Sequence, residues 1–155
     1  MEDLLPTPTK FTLVAGSAEG PSRLNAFDNA LLAAGIGNLN LLKVSSILPP
    51  GCQKVEKLDI PPGSLTPTAY GSALSTQKGE RIAAAVGIGF SADSYGVIME
   101  YSGSCSKEEA EKTVEQMVRA AFVERGVPLV KVETQATDHV VQENGCAFAA
   151  VALWY

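Results

Sequence analysis

Two adjacent hydroxyls stand in the run Lys43-Val44-Ser45-Ser46-Ile47-Leu48-Pro49-Pro50. A serine pair is commonplace, and its ordinary reading is strand or turn. The context here is narrower, because an apolar, strand-like segment carries the pair into a rigid diproline stop. In a peptide constrained in this way, one hydroxyl can be held against the preceding carbonyl.

Few other residues offer chemistry. Glu100 follows Val97-Ile98-Met99 in a predicted strand and shares a face with Ile98. If that face is buried, desolvation favours a protonated carboxyl able to donate; if it is open, Glu100 is a surface glutamate. Asp28 falls in a predicted helix, beside its apolar stripe, and reads either as a solvated acid or as a carboxylate for a cationic substrate group. His139 is the single histidine, so a set of several His ligands for zinc is excluded, and His-dependent catalysis would rest on that residue alone. No nucleophile accompanies it, which favours a structural role. Gly87-Ile-Gly89-Phe-Ser-Ala92 resembles a dinucleotide fingerprint but closes a strand instead of opening a helix, so it reads as strand and turn. Cys52, Cys105 and Cys146 show no metal-ligand spacing.

The elements that must position these groups follow from periodicity. Strands are expected at Lys10–Ala15, Thr68–Ser75, Glu80–Phe90, Gly96–Tyr101, Leu129–Thr137, Val140–Val141 and Cys146–Tyr155. Leu39–Leu48 is expected to be one extended run, 16–22 a loop, and Gln53–Thr66 loop or weak strand. Arg23–Ala34 reads as a helix, with Leu24, Phe27, Leu31 and Ala34 on its apolar stripe and Ser22 as cap. Lys107–Arg125 is the clearest helix: Ser106 and Glu109 form a capping box, and Gly126 with Pro128 supplies the stop. Two helices over antiparallel or mixed sheet predict an α+β layered fold.

The 155 residues suffice for one domain, and hydrophobic residues make up 46% of them. A mean hydropathy of +0.11 with a net charge of -5 excludes a disordered chain. The acidic balance argues against nucleic acid, which demands a basic stripe. The apolar stretches Ile82–Phe90 and Ala147–Tyr155 are too short to span a bilayer, so no membrane partner is expected. The N-terminal sequence MEDLLPTPTK lacks the pattern of a signal peptide, and three cysteines read as reduced thiols, so a cytoplasmic protein is expected.

Several collinear segments together resemble pyruvoyl-dependent arginine decarboxylase proenzymes. They are Leu13-Val14-Ala15-Gly16-Ser17 with Glu19-Gly20, Leu24-Asn25-Ala26-Phe27-Asp28, Ala34-Gly35-Ile36-Gly37-Asn38, Asn40-Leu41 and the serine-pair run. Pro67-Thr68-Ala69-Tyr70-Gly71, Ile98-Met99-Glu100-Tyr101, the Cys105–Glu111 stretch and Gly145–Ala150 with Leu153-Trp154-Tyr155 continue the likeness. The resemblance implies a four-layer α/β/β/α sandwich, one domain over residues 1–155, self-cleaved between Ser45 and Ser46 into a 1–45 β chain and a 46–155 α chain. It implies a covalent pyruvoyl group derived from Ser46, with neither metal nor pyridoxal phosphate, that takes up the substrate amine and acts as electron sink. It makes Glu100 the general acid for arginine decarboxylation and Asp28 the partner of the guanidinium. Asn40, Leu39, Gly37 and the Ser45 carboxylate created by cleavage are implied to line the substrate site. A homotrimer with sites between neighbouring subunits is implied as well. Decarboxylation of another amino acid, or an uncleaved homologue without catalysis, are the alternatives.

Overall fold

The last strand of the chain, β9 (Gly145–Trp154), is buried along nearly its whole length, and it organises the rest. Its side chains alternate between two cores, as a period of two requires. Cys146, Phe148 and Ala150 face a helix, while Ala147, Ala149, Val151 and Leu153 face a second sheet. No polar side chain is needed on either face, because both are covered.

A computed structural model describes residues 4–155. Before β9 the chain runs through β1 (Lys10–Glu19), α1 (Arg23–Ala33), β2 (Asn40–Lys43), β3 (Ile47–Leu48), β4 (Gln53–Lys54) and β5 (Leu65–Ser75). It continues through β6 (Arg81–Phe90), β7 (Gly96–Gly103), α2 (Lys107–Arg125) and β8 (Lys131–Val140). One mixed sheet has the order β2-β5-β9-β1-β4, with β1/β4 and β2/β5 parallel. The other, β3-β7-β6-β8, is antiparallel.

Strand β6 repeats the two-faced logic of β9 in the second sheet. Ile82, Ala84, Val86 and Ile88 fill the core between the sheets, and Ala83 and Ala85 lie under α2. Further along that outer face the chain uses glycine. A Cβ on Gly89 would lie 2.5 Å from both Val118 and Phe122, so α2 reaches the sheet only because none is there. Ala110, Val114, Val118, Ala121 and Phe122 make the buried stripe of α2, whose ends are held by the Ser106 cap and by Gly126 in the left-handed conformation. The layers are therefore α1, mixed sheet, antiparallel sheet and α2, the four-layer α/β/β/α sandwich that the resemblance implied.

Four expectations change. β8 is one strand, Lys131–Val140, instead of two pieces, because β6 pairs it over ten residues, from Arg81 with Val140 to Phe90 with Lys131. β1 runs on to Glu19 instead of ending at Ala15, because β9 pairs it over ten residues, from Lys10 with Trp154 to Glu19 with Gly145. In α1 the buried side chains are Ala26, Ala30 and Leu31, and Leu24 is 76% exposed. Small residues let the helix lie close to the sheet, and that rotates the stripe away from Leu24. Finally, Leu39–Leu48 is not one strand but two, and they belong to different sheets.

Candidate active site

The serine pair occupies the step between those two sheets. β2 pairs with β5, and Val44 extends that pairing by donating its N–H to the Thr68 carbonyl at 3.1 Å. β3 pairs with β7, and the Ser46 carbonyl accepts the Ile98 N–H at 2.7 Å. The Ser45–Ser46 peptide is thus stretched across the gap, anchored by main chain on either side. Ser45 is exposed and Ser46 half-buried. Both line an apolar cavity of about 600 Å³, shared with Leu4, Leu5, Leu42, Val44, Ile47 and Tyr155 among others.

Glu100 lies two residues beyond Ile98 on β7 and points into the space between the sheets. It is neither fully buried nor open. Directly opposite, on β5, is Gly71: a Cβ placed there would be 3.3 Å from the Glu100 Cβ and 3.5 Å from its Cγ. Burial pushes the Glu100 carboxyl above the usual carboxylate range, and the Lys43 ammonium pulls in the opposite direction. The face left open by the pattern alone is therefore the inner one.

The other residues expected at the site are spread through the fold. Asp28 is exposed on α1, next to Phe27, which packs edge-on to Phe148 and against Tyr70. Among the described residues, no hydrogen bond or ion pair links it to Ser45, Ser46 or Glu100. Gly37 backs onto Leu32, whose Cδ2 would be 2.5 Å from an added Cβ. Leu39 is half-buried and lines a different cavity of about 440 Å³, together with Thr12, Glu56 and Asp59. Asn40 opens β2, with its amide donating to the Gly63 carbonyl and its N–H to the Ser64 carbonyl. One chain therefore puts Ser45 and Ser46 on one cavity and Glu100 two residues beyond Ser46's main-chain partner on β7, outside that cavity's lining, while Asp28 lies on the outer helix layer.

Other candidates fall to structural roles. His139 bonds the carboxylate of Glu19 at the far end of β8. Burial pushes the thiols of Cys52 and Cys105 up, with Glu109 and Asp138 adding to the effect on Cys105, and it carries Cys146 up to about 12. Gly87 and Gly89 serve the packing of α2. Two neighbours of the site went unsuspected in the sequence. One is Gly71, whose parity with Ala69 puts it on the inner face. The other is Lys43, whose Nζ sits 4.8 Å over the Tyr70 ring.

A serine pair held between two sheets beside a half-buried carboxyl, on an α/β/β/α sandwich, defines a candidate enzyme site. Residues 10–155 match the family described as Pyruvoyl-dependent arginine decarboxylase (PvlArgDC). A protein of that name from Methanocaldococcus jannaschii is 52% identical over 150 residues, covering 96% of this chain and 91% of the relative. The one from Methanococcus aeolicus is 49% identical over 150 residues, with the same coverage of each. The one from Thermococcus sibiricus is 46% identical over 151 residues, covering 95% of this chain and 96% of the relative. The chain belongs to the pyruvoyl-dependent arginine decarboxylase family.

A pyruvoyl group placed at residue 46 would fit the crossing. Its carbonyl already has a fixed partner in the Ile98 N–H. Its side-chain position opens on a cavity with space for a small substrate. Among the described residues, no helix is long and apolar enough to cross a membrane, and no three His, Cys, Asp or Glu side chains are grouped to hold a metal.

Proposed function

We propose that this protein decarboxylates L-arginine to agmatine and carbon dioxide, using a pyruvoyl group that it makes from Ser46. The observation that carries the reading is the Ser45–Ser46 peptide stretched between two sheets, one strand away from a half-buried acid, in a chain that matches this family from residue 10 to its last residue.

Processing uses the chain's own atoms. The Ser46 Oγ attacks the Ser45 carbonyl carbon, and the peptide bond gives way to an ester. Loss of the Ser46 α-proton then expels Ser45 as a carboxylate and leaves dehydroalanine at position 46. Uptake of one water and release of one ammonia turn that residue into the pyruvoyl group. The Val44 and Ser46 backbone bonds lie outside the broken linkage, so both new ends stay registered on their sheets.

A pyruvoyl group supplies a ketone that takes up an amine and draws off the electrons released with carbon dioxide. The residues of the chain do the rest. Glu100, whose carboxyl burial pushes above the usual carboxylate range, delivers its proton to the substrate α-carbon after carbon dioxide leaves. The apolar walls of the cavity, including Val44, Ile47 and Leu42, exclude water from the reacting end. Asp28 meets the guanidinium in a paired, charge-assisted fork, while Asn40, Leu39, Gly37 and the new Ser45 carboxylate line the substrate path.

Because α1 carries Asp28 on the outer layer, we assign the complete site to two copies of the chain in a homotrimer. The exposed apolar side chains Leu42, Ile47 and Leu65 around the crossing suit such a contact. Three free thiols suit a reducing, cytoplasmic compartment.

Purified protein assayed on arginine, lysine, ornithine and aspartate tests the reaction; no agmatine from arginine would overturn it. Mixing inactive Ser46→Ala chains with inactive Asp28→Asn chains tests the shared site. Activity should reappear in the refolded mixture, and a mixture that stays inactive would place both groups in one copy.

A further inference from the structure

We propose that Tyr70 is a specificity-determining residue for the cationic end of the substrate, and that Lys43 covers its ring as a tethered stand-in until a guanidinium displaces it. This rests on the reading of Asp28 as the partner of the guanidinium. Tyr70 lies on the α1 side of β5, with its ring packed against Phe27 and Phe148 at centroid distances of 6.4 and 5.4 Å. Those two rings belong to the core under α1. The Lys43 ammonium sits 4.8 Å from the Tyr70 centroid, and Lys43 is exposed, so this cation covers the ring from the solvent side.

The anion that a guanidinium needs borders the same ring. Phe27 turns from α1 toward Tyr70, and Asp28 follows it about 100° further round the helix. The opposite flank of α1 belongs to β1, where the Asn29 amide donates to the Glu19 carbonyl at 3.0 Å. Asp28 therefore overhangs the β5 side, above a groove floored by Tyr70 and edged by Lys43 of β2, the strand paired with β5. Among the described residues, no ion pair joins Asp28 to Lys43. The groove thus offers an open carboxylate on one wall and, on its floor, a ring face that already holds a cation.

The two cations differ in what they gain there. An ammonium is compact and strongly hydrated, whereas a guanidinium is planar, more weakly hydrated, and able to stack on a ring while its edge forks onto a carboxylate. A guanidinium that replaces Lys43 gains both contacts, and the released ammonium recovers its water. A substrate ending in an ammonium only exchanges like for like on Tyr70 and cannot make the fork. The pair Tyr70 and Lys43 therefore favours arginine over lysine and ornithine.

Protein carrying ¹³C in its lysines is titrated with agmatine, and the Lys43 methylene signals are assigned by their loss in Lys43→Met. Held over the ring, they should resonate upfield of the other lysines, and saturating agmatine should return them to ordinary positions. Signals that are ordinary in the free protein, or that stay upfield when calorimetry shows saturation, would overturn the displacement. In steady-state assays Tyr70→Leu should raise KM for arginine about two- to thirtyfold, the range of a cation–ring contact, while Tyr70→Phe stays near wild type. Lys43→Met should lower that KM and narrow the preference for arginine over lysine. A wild-type KM in Tyr70→Leu would overturn the role of the ring; if that variant does not fold, the lysine titration of the wild type decides. Calorimetry on Asp28→Asn keeps the two readings apart. Unchanged agmatine affinity there, with Lys43 displaced in the wild type, overturns Asp28 alone; lost affinity there, with Lys43 unmoved in the wild type, overturns the stand-in alone.

Discussion

Val44 and Ser46, only two residues apart, are hydrogen-bonded into different sheets: Val44 to Thr68 of the mixed sheet, Ser46 to Ile98 of the antiparallel one. Both bonds use main-chain atoms. The fold therefore holds the Ser45–Ser46 peptide without help from either serine hydroxyl. Ser46→Ala should fold with a Tm close to the parent and stay a single species near 16.2 kDa on denaturing mass analysis. Ser45→Ala retains the attacking hydroxyl and should still divide. Two fragments from Ser46→Ala would sink the assignment of the nucleophile.

Glu100 makes activity and stability pull in opposite directions. Its carboxyl is raised chiefly by burial, so the folded chain binds this proton more tightly than the unfolded chain does. The sign follows: its contribution to stability is full below the unfolded value and is lost as pH rises through the raised one. Glu100→Gln, which cannot ionise, should cut kcat by roughly 10²–10⁴ while KM survives. The same variant should melt higher than the parent at neutral pH, with the gap closing in acid. Thermal melts across pH on both chains check this, and a Glu100→Gln protein less stable than the parent at neutral pH would contradict the burial argument.

Gly71 has no Cβ where Glu100 needs space. An added Cβ would stand 3.3 Å from the Glu100 Cβ, and that atom can yield only if β7 moves. Gly71→Ala should lower kcat by on the order of tenfold through misplacement of the donor, and Gly71→Val by more. Neither should stop processing, since the Ser46 anchor on Ile98 is untouched. Steady-state kinetics with intact-mass analysis separates the two effects; a full-rate Gly71→Val enzyme would show that Glu100 is not held by this contact.

What the sequence disclosed depended on how local each signal was. The Ser106 cap, the Gly126 stop and the closing apolar strand are read within a few residues, and they stand as expected. The serine pair was equally visible, but its division between sheets was not. An apolar run such as Leu39–Leu48 has one pattern whether it pairs with one sheet or two, and only the partners β5 and β7 decide. Leu24 misled for a related reason: helical spacing fixes relative positions on α1, whereas Ala26 and Ala30 set which stripe turns inward. The parity of Glu100 with Ile98 was legible, and burial of that face was not. Gly71 meets Glu100 across strands far apart in sequence, so no motif announced it. Asp28 stood in the sequence as a solvated acid or a partner for a cationic group, the resemblance implied the second, and the fold leaves it exposed on α1.

The last expectation concerns the one histidine. Glu19 ends β1 and accepts the N–H groups of Gln142 and Glu143, at 3.2 and 2.7 Å, as well as a bond from His139. It thereby ties the mixed sheet to the β8–β9 turn. Burial alone would raise its carboxyl, but the Glu143 N–H, the His139 ring and the Gln142 N–H together hold it below the usual range. A depressed carboxylate stabilises above its unfolded value, and that stabilisation is lost as pH falls through the lowered one. Glu19→Gln should therefore cost about 1–3 kcal/mol near neutral pH and progressively less in acid. His139→Ala leaves both backbone donors satisfied and should cost less. The latch is remote from the crossing: His139 is paired with Ile82 and the Ser46 anchor lies beside Ile88, roughly 20 Å along β6. Turnover per folded molecule should thus be unchanged in both variants. Urea unfolding at neutral and acid pH measures the difference, and a Glu19→Gln deficit that stays constant with pH would mean that packing, not the charge, holds this end of the sandwich.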